Sequence, residues 1–289
     1  MSEVTIGNHI VGTNKPCFVI AEIGINHNGS LETAKLLIDK AVEAGCQAVK
    51  FQKRTIDVVY TAEELAKPRE NPFGDTNGDL KYGLEFGSKE YDAIAKYCAK
   101  KGILWTASCW DEASVDFIAQ YKPTFFKVAS ASITDDNLLR QHRKYNIPVI
   151  ISTGMSTLEQ IDHAVEVLGK KDLLILHCTS TYPSKPEELN LRAIASLEER
   201  YNVPIGYSGH EVGLATSVAS VALGACIVER HITLDRAMWG SDQAASVEPG
   251  GFERMVKDIR AIEAALGDGK KIVYPSEVPI IDKLRRVGK

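Results

Sequence analysis

No apolar run in this 289-residue sequence is long enough to cross a bilayer, and its first residues lack the basic-then-apolar order of a secretory signal. There is no Pro/Gly/Ser-rich linker and no low-complexity tract, so nothing marks a boundary between domains. The six cysteines (Cys17, Cys46, Cys98, Cys109, Cys178, Cys226) form no CxxC pair and no secreted-domain spacing. Four of them lie in or beside apolar runs, so buried free thiols and a cytoplasmic location are expected. Charge of either sign is not in excess: 34 Lys and Arg face 38 Asp and Glu, a net of -4. That leaves no general attraction for nucleic acid or an anionic membrane. Any positive potential that holds an anionic substrate must be local.

What the chain does have is a regular alternation of two patterns. Residues 4–12 read as a short β-hairpin turning at Gly7-Asn8. Eight strand-length runs follow, at 17–24, 48–53, 103–108, 125–130, 148–154, 173–180, 204–209 and 226–233. Most are nearly continuous in apolar residues, as parallel strands covered by helices must be. Between and after them, apolar residues recur at three- and four-residue spacing over 31–44, 89–101, 112–121, 137–145, 158–168, 191–201, 214–223 and 251–266. Ser30 and Ser88 read as N-caps of the first two helices, and Gly45 and Gly102 as their stops. Eight βα units in series favour one (β/α)8 TIM barrel with an N-terminal β-hairpin over a doubly wound sheet. Two polar segments, 54–87 and 234–249, break the rhythm. The first is too long for a connector, and in a barrel it lies over the catalytic face as a partial lid.

Barrel enzymes place their chemistry at the C-terminal ends of the strands. Here those ends carry Glu22, Asn26 and His27; Lys50 and Gln52; Ser108; Lys127, Ser130 and Ser132; Ser152 and Thr153. The later strands add His177, Thr179, Ser180 and Tyr182; Ser208 and His210; Glu229 and His231. Lys50 and Gln52 are two residues apart, as are Glu229 and His231, so each pair shares a strand face. A lysine inside an apolar strand must aim its ammonium at a polar centre, because burying it unpaired costs several kcal/mol. Lys50, Lys127 and the hydroxyls near them therefore form a candidate phosphate or carboxylate cradle. His210 and His231, with Glu229 and Asp242, form a candidate divalent-metal site with open positions. A single strand-end Ser or Thr is more often structural, and His177 serves as readily as a satisfied buried side chain. His9, His142 and His163 fall on the hairpin or on helices and read as surface residues.

Seven segments carry a resemblance. They are Ala21-Glu22-Ile23-Gly24-Ile25-Asn26-His27-Asn28-Gly29, Val49-Lys50-Phe51-Gln52, Lys127-Val128-Ala129-Ser130 and Ser152-Thr153-Gly154-Met155. The others are His177-Cys178-Thr179-Ser180-Thr181-Tyr182-Pro183, Gly206-Tyr207-Ser208-Gly209-His210 and Glu229-Arg230-His231. In this order and spacing they resemble the sialic acid (N-acetylneuraminate) or nonulosonic acid synthase family, from about residue 4 to the C-terminus. The resemblance implies a (β/α)8 barrel and a transferase that condenses phosphoenolpyruvate with N-acetylmannosamine or a related aldose. Its products would be a 2-keto-3-deoxy acid and phosphate. On the same resemblance Lys50, Lys127, Ser130, Ser152 and Ser208 hold phosphoenolpyruvate. His210 and His231 bind manganese, or else magnesium or cobalt. Glu22 handles the aldehyde or the attacking water; Glu229, Asp242, Gln52 and Tyr182 line the sugar side. The three carboxylates Glu22, Glu229 and Asp242 would share the proton transfers. Ser108 stands in Ala107-Ser108-Cys109-Trp110, where the family usually has a threonine.

Two departures bear on the acceptor. After the fourth strand the family usually reads Gly-Glu, whereas this chain has Ala131-Ser132 and so one carboxylate fewer. Members commonly carry a C-terminal antifreeze-like domain that gives an arginine to the sugar's N-acetyl group across the dimer. This sequence stops at Leu284-Arg285-Arg286-Val287-Gly288-Lys289, about where the linker to that domain would begin. The expectation is a single barrel domain over 1–289 without it, with segment 54–87 taking its place through Lys67, Arg69 and Tyr82. The acceptor is left open, and a barrel-to-barrel homodimer is expected. The competing readings are a 3-deoxy-octulosonate-phosphate type of synthase, a metal-dependent pyruvate aldolase and a non-catalytic sugar-acid-binding barrel.

Overall fold

The computed structural model describes residues 3–288. Strands β1 (Glu3–Ile6) and β2 (His9–Gly12) form the expected antiparallel hairpin, turning where Gly7 holds a φ of 59°. The chain then runs through β3 (Phe18–Gly24), α1 (Leu31–Glu43) and β4 (Ala48–Lys53). Next comes the insertion, with α2 (Ile56–Val59), α3 (Ala62–Ala66), β5 (Pro68–Asn71), β6 (Gly74–Thr76) and α4 (Asn77–Leu84). The barrel resumes with α5 (Ser88–Lys101), β7 (Leu104–Cys109), α6 (Glu112–Ala119), β8 (Phe126–Val128) and α7 (Asp136–Arg143). It continues through β9 (Val149–Ser152), α8 (Leu158–Leu168), β10 (Leu173–Cys178) and α9 (Ala193–Tyr201). The last elements are β11 (Ile205–Gly209), α10 (Ala215–Ala222), β12 (Ile227–His231), α11 (Pro249–Leu266) and α12 (Val278–Leu284).

Strands β3, β4 and β7 to β12 pair in parallel in chain order, and β12 closes on β3 with Ile227 opposite Phe18 and His231 opposite Glu22. This is the (β/α)8 barrel the alternation called for. Two cores result. One lies between the strands and the outer helices. The other fills the barrel floor, where Phe18, Ala48, Phe125, Leu174 and Ile227 meet Val4, Ile6 and Val11 of the hairpin. The hairpin thus stoppers the end away from the chemistry. No helix among the described residues is long and apolar enough to cross a membrane.

Three local expectations need correction. Ser88 is the first helical residue of α5, not its cap; Gly87 is the cap, and its N–H donates to the Glu90 carboxylate at 3.0 Å. His142 is wholly buried rather than exposed, its Nδ1 2.8 Å from the Leu138 carbonyl and its ring edge-on to Phe126. Burial lowers its pKa to about 4, and a neutral imidazole packs as an apolar ring beside Leu138 and Leu139. Strands β8 and β9 end early, because Ser130 and Gly154 leave their ladders and meet each other instead, with the Gly154 N–H donating to Ser130 Oγ at 3.0 Å.

The insertion is a built structure, not a plain loop. Thr61 with Glu64 and Thr76 with Asp79 form capping boxes at its helices. Lys53 holds Glu85 at 2.8 Å, tying the insertion's end back to β4. Phe73 packs on Gly83, where a Cβ would lie 2.2 Å from its ring, and faces Trp239 of the loop after β12 at 6.5 Å. The insertion and that loop therefore meet above the mouth of the barrel.

Candidate active site

A cavity of about 210 Å³ opens at the C-terminal ends of the barrel strands. Parallel register decides which side chains share it. Glu22 pairs with Lys50, Gln52 with Ser108, Ser108 with Lys127, Ser208 with Glu229 and Glu22 with His231 across neighbouring strands. Glu22, Lys50, Gln52, Ser108, Lys127, Ser130, Ser152, Tyr182, Ser208, His210, Glu229 and His231 all line the cavity. Asp242 stands just outside, with Oδ2 3.8 Å from His231 Nδ1.

The charged groups form one buried network. Lys50 Nζ lies 3.2 Å from Glu22 Oε2 and 3.1 Å from Glu229 Oε2, and donates to Ser108 Oγ at 3.1 Å. Lys127 Nζ donates to Ser152 Oγ at 2.6 Å and to the Val128 carbonyl at 3.0 Å, with Glu229 Oε1 3.9 Å away. Ser208 Oγ donates to that same Oε1 at 3.1 Å. Burial pushes Glu22 up to about 7; Lys50 opposes this and the Glu229 charge adds to it. Burial acts on Glu229 in the same direction, but Lys127 and Lys50 outweigh it and bring it down to about 2. Burial lowers Lys127 to about 8, only partly offset by Glu229. Lys50 goes the other way: burial lowers it, yet Glu22 and Glu229 together hold it above its ordinary value. Near neutral pH two ammonium groups thus face one firmly ionised carboxylate and one that is partly protonated, which leaves an excess of positive charge for an anion.

The hydroxyl side is shaped by an absent Cβ. At Gly154 it would fall 2.0 Å from Ser180 Oγ and 2.9 Å from Ser130 Oγ. Only glycine lets the two serines stand this close to the backbone.

On the opposite side the His210 and His231 rings are 5.5 Å apart, with Tyr182 4.1 Å from the former and 5.8 Å from the latter. His210 Nδ1 lies 2.9 Å from the Thr179 carbonyl. A carbonyl only accepts, so Nδ1 carries a proton and Nε2 is the nitrogen left to face a metal. Burial lowers His231 to about 4, with Asp242 partly opposing, and its buried Nδ1 has no hydrogen-bond partner. Burial lowers the His210 pKa, but Cys178 outweighs it and the pKa is raised. The neutral His231, with its orphaned nitrogen, and the neighbouring His210 ring suit a divalent ion whose other positions go to water and substrate. Among the described residues no further His, Cys, Asp or Glu completes a three-ligand cluster with them.

Residues 37–271 match the NeuB family. The chain belongs to it. It is 40% identical over 279 residues to the N-acetylneuraminate-9-phosphate synthase of Homo sapiens, a match spanning 95% of this chain and 78% of that protein. It is 34% identical over 285 residues to the N,N'-diacetyllegionaminic acid synthase of Legionella pneumophila, covering 95% of this chain and 80% of that one. A crystal structure of the N-acetylneuraminic acid (sialic acid) synthetase from Leptospira borgpetersenii in complex with citrate has a TM-score of 0.86 at 33% identity. That likeness covers 99% of this chain and 98% of the other.

Other strand-end residues of this NeuB-family member turn out to serve the scaffold. His177 Nε2 lies 2.6 Å from the Leu189 carbonyl, His27 stacks on Phe86 at 3.9 Å, and Asn26 donates to the Ile232 carbonyl and Ser246 Oγ, both at 2.8 Å. Ser132 is buried where the family usually has a carboxylate, and Ala131 lines the cavity. Lys67, Arg69 and Tyr82 do not reach the site: Lys67 is exposed, Arg69 donates to Asn77 at 3.3 Å, and the Tyr82 hydroxyl donates to Asp57. Sequence reasoning passed over Trp110, Met155 and Cys178, all of which line the cavity. Their positions at strand ends were the available signal, but an indole, a thioether and a thiol in apolar runs read as core.

Proposed function

We propose that this chain is a transferase condensing phosphoenolpyruvate with an aldose to give a nonulosonic, sialic-acid-type 2-keto-3-deoxy acid and inorganic phosphate. The carrying observation is the buried pair Lys50 and Lys127, which meet a single firmly ionised carboxylate, Glu229, beside the His210 and His231 rings. A small dianion supplies the charge such a site lacks. The named relatives make nonulosonic acids of different kinds, which fits a shared donor and a variable acceptor.

Lys50, Lys127, Ser130, Ser152 and Ser208 would hold the phosphate and carboxylate of the donor, with Ser108 fixing Lys50. Held by His210 and His231, a divalent ion (manganese, or else magnesium or cobalt) would polarise the aldehyde oxygen as a Lewis acid. Glu22, partly protonated near pH 7, gives its proton to that oxygen as C3 of phosphoenolpyruvate bonds to the aldehyde carbon. The ionised Glu22 then takes a proton from the water that adds to C2. The C2–O bond to phosphate then breaks and its electron pair leaves with phosphate, which takes the proton of the C2 hydroxyl as that group becomes the ketone; the two ammonium groups already face the departing charge. Glu229 keeps both lysines protonated; Asp242 backs His231, and Gln52 and Tyr182 line the sugar side.

The test is phosphate release from phosphoenolpyruvate across a panel of aldoses, with and without manganese. Release that needs both metal and one class of sugar supports the synthase. Tight phosphoenolpyruvate binding without release for any sugar would assign a binding role instead. The reading carries a cytoplasmic location, supported by six buried unpaired thiols. It also carries a homodimer, supported by Leu36 and Leu158, about half exposed on outer helices. Light scattering that returned a monomer would sink the dimer.

A further inference from the structure

The ladder between β11 and β12 stops one residue short of both cavity histidines. Its last pair is Gly209 with Arg230, and His210 and His231 come next in the chain. Side chains alternate along a strand, so His231 points into the barrel while Arg230 points outward, to Ser217 of α10. There Arg230 Nη1 lies 2.9 Å from Glu211 Oε1, 2.7 Å from Ser217 Oγ and 3.0 Å from the Gly213 carbonyl. Nη2 donates to the backbone carbonyl of Glu211 at 2.6 Å. The guanidinium beside His231 thus grips the backbone that leaves His210. The Glu211 carboxylate is fixed in turn by the hydroxyls of Tyr207, Thr216 and Ser217, at 2.8, 2.6 and 3.1 Å.

Both members of this ion pair are only 1% exposed. Such a pair gives little net stability, because desolvation consumes most of the attraction, and apolar side chains of like volume would serve as well. What a guanidinium fork does supply is a fixed direction and distance. The chain leaves room for it at Gly209, where a Cβ would fall 2.6 Å from Glu211 Oε2 and 3.0 Å from Arg230 Cδ.

We infer that Arg230 and Glu211 are positioning residues for the divalent ion: their pairing sets the spacing of His210 and His231, whose rings stand 5.5 Å apart, where the strand ladder no longer reaches. This rests on the metal-site reading above. Each residue acts through the histidine next to it in the chain, from the outer face of the barrel.

The experiment titrates manganese and, separately, phosphoenolpyruvate into the full chain by calorimetry, with thermal melts alongside. The proteins are the wild type, Arg230→Lys, Glu211→Gln and the double variant Glu211→Leu with Arg230→Met. Arg230→Lys keeps the charge and loses the fork. It and Glu211→Gln should each weaken manganese binding at least about tenfold, the scale for partners that orient metal ligands. Phosphoenolpyruvate affinity should stay near that of the wild type, because Lys50, Lys127 and Ser152 lie on β4, β8 and β9. The double variant separates geometry from stability. With no buried charge left unpaired, it should melt above either single variant yet bind manganese no better. Manganese affinity that recovers together with the melting temperature, or that never fell, overturns the inference and leaves the metal site standing. An equal loss of phosphoenolpyruvate affinity marks general damage and overturns it too. If neither single variant folds, the double variant against the wild type decides on the same terms. A wild type that binds neither manganese nor magnesium nor cobalt sinks the metal reading and the inference together.

Discussion

Glu22 and Glu229 grip the same ammonium, Lys50 Nζ, at 3.2 and 3.1 Å, yet hold their protons with very different strength. The asymmetry comes from Lys127, which stands 3.9 Å from Glu229 and pairs with no oxygen of Glu22. With two cations, Glu229 stays ionised. With Lys127 acting only weakly on it and a negative charge beside it, burial carries Glu22 up to about 7. An acid and a fixed anion arise from two like side chains.

Glu22→Gln should therefore cost activity and add stability. The loss in kcat should be about 10²–10⁴-fold, the usual worth of a positioned acid–base group. Because its folded pKa lies above the ordinary 4.5, the stabilisation from holding its proton is present below 4.5 and lost as pH rises through about 7. Thermal melts of the metal-free protein should show the variant ahead of wild type by on the order of 1–3 kcal/mol at pH 8, and no advantage at pH 4. An advantage that is the same at both pH values would contradict the shift.

Phosphoenolpyruvate binding should take up a proton at pH 8. Lys127 titrates near 8 in the free protein, and a phosphate beside it favours the charged form. Calorimetry in buffers of different ionisation heat should give net uptake at pH 8 that vanishes near pH 6.5 and is absent in Lys127→Met.

Removing metal with a chelator should abolish turnover while leaving the far-ultraviolet circular dichroism unchanged, since two half-shell imidazoles do not hold the barrel together. Manganese should restore activity to the wild type. His210→Ala and His231→Ala should each lower manganese affinity at least about tenfold by calorimetry, the scale on which even outer-shell metal partners act.

Gly154→Ala should raise the KM for phosphoenolpyruvate and lower stability by about 1–3 kcal/mol, the cost of overpacking. The added carbon would meet Ser180 Oγ at 2.0 Å. Adding Ser180→Gly should recover most of the lost stability by chemical denaturation; no recovery would place the conflict elsewhere.

Much of this was legible in the chain itself. The barrel followed from apolar runs alternating with helical spacing, and each run lay within a few residues of its strand. Lys50 and Lys127 announced the site because a lysine in an apolar strand has few places to go. Arg54 gave no such signal, being one charge in a polar segment, and its burial beside the site appears only when Trp110 and Gln52 close around it. His142 misled for the opposite reason: a short helix turned a polar-looking face inward.

Strand order, active face and motif residues were determined by the sequence alone, because side-chain periodicity and parallel connections leave little freedom in a βα series. Tertiary structure decided the rest: which glutamate keeps its proton, which histidine nitrogen meets a carbonyl, and that Arg54 closes on the cavity-lining Gln52. Those properties depend on burial and on charges a few ångströms away, contributed by residues far apart in the chain. Distance along a sequence does not encode distance through a low-dielectric interior.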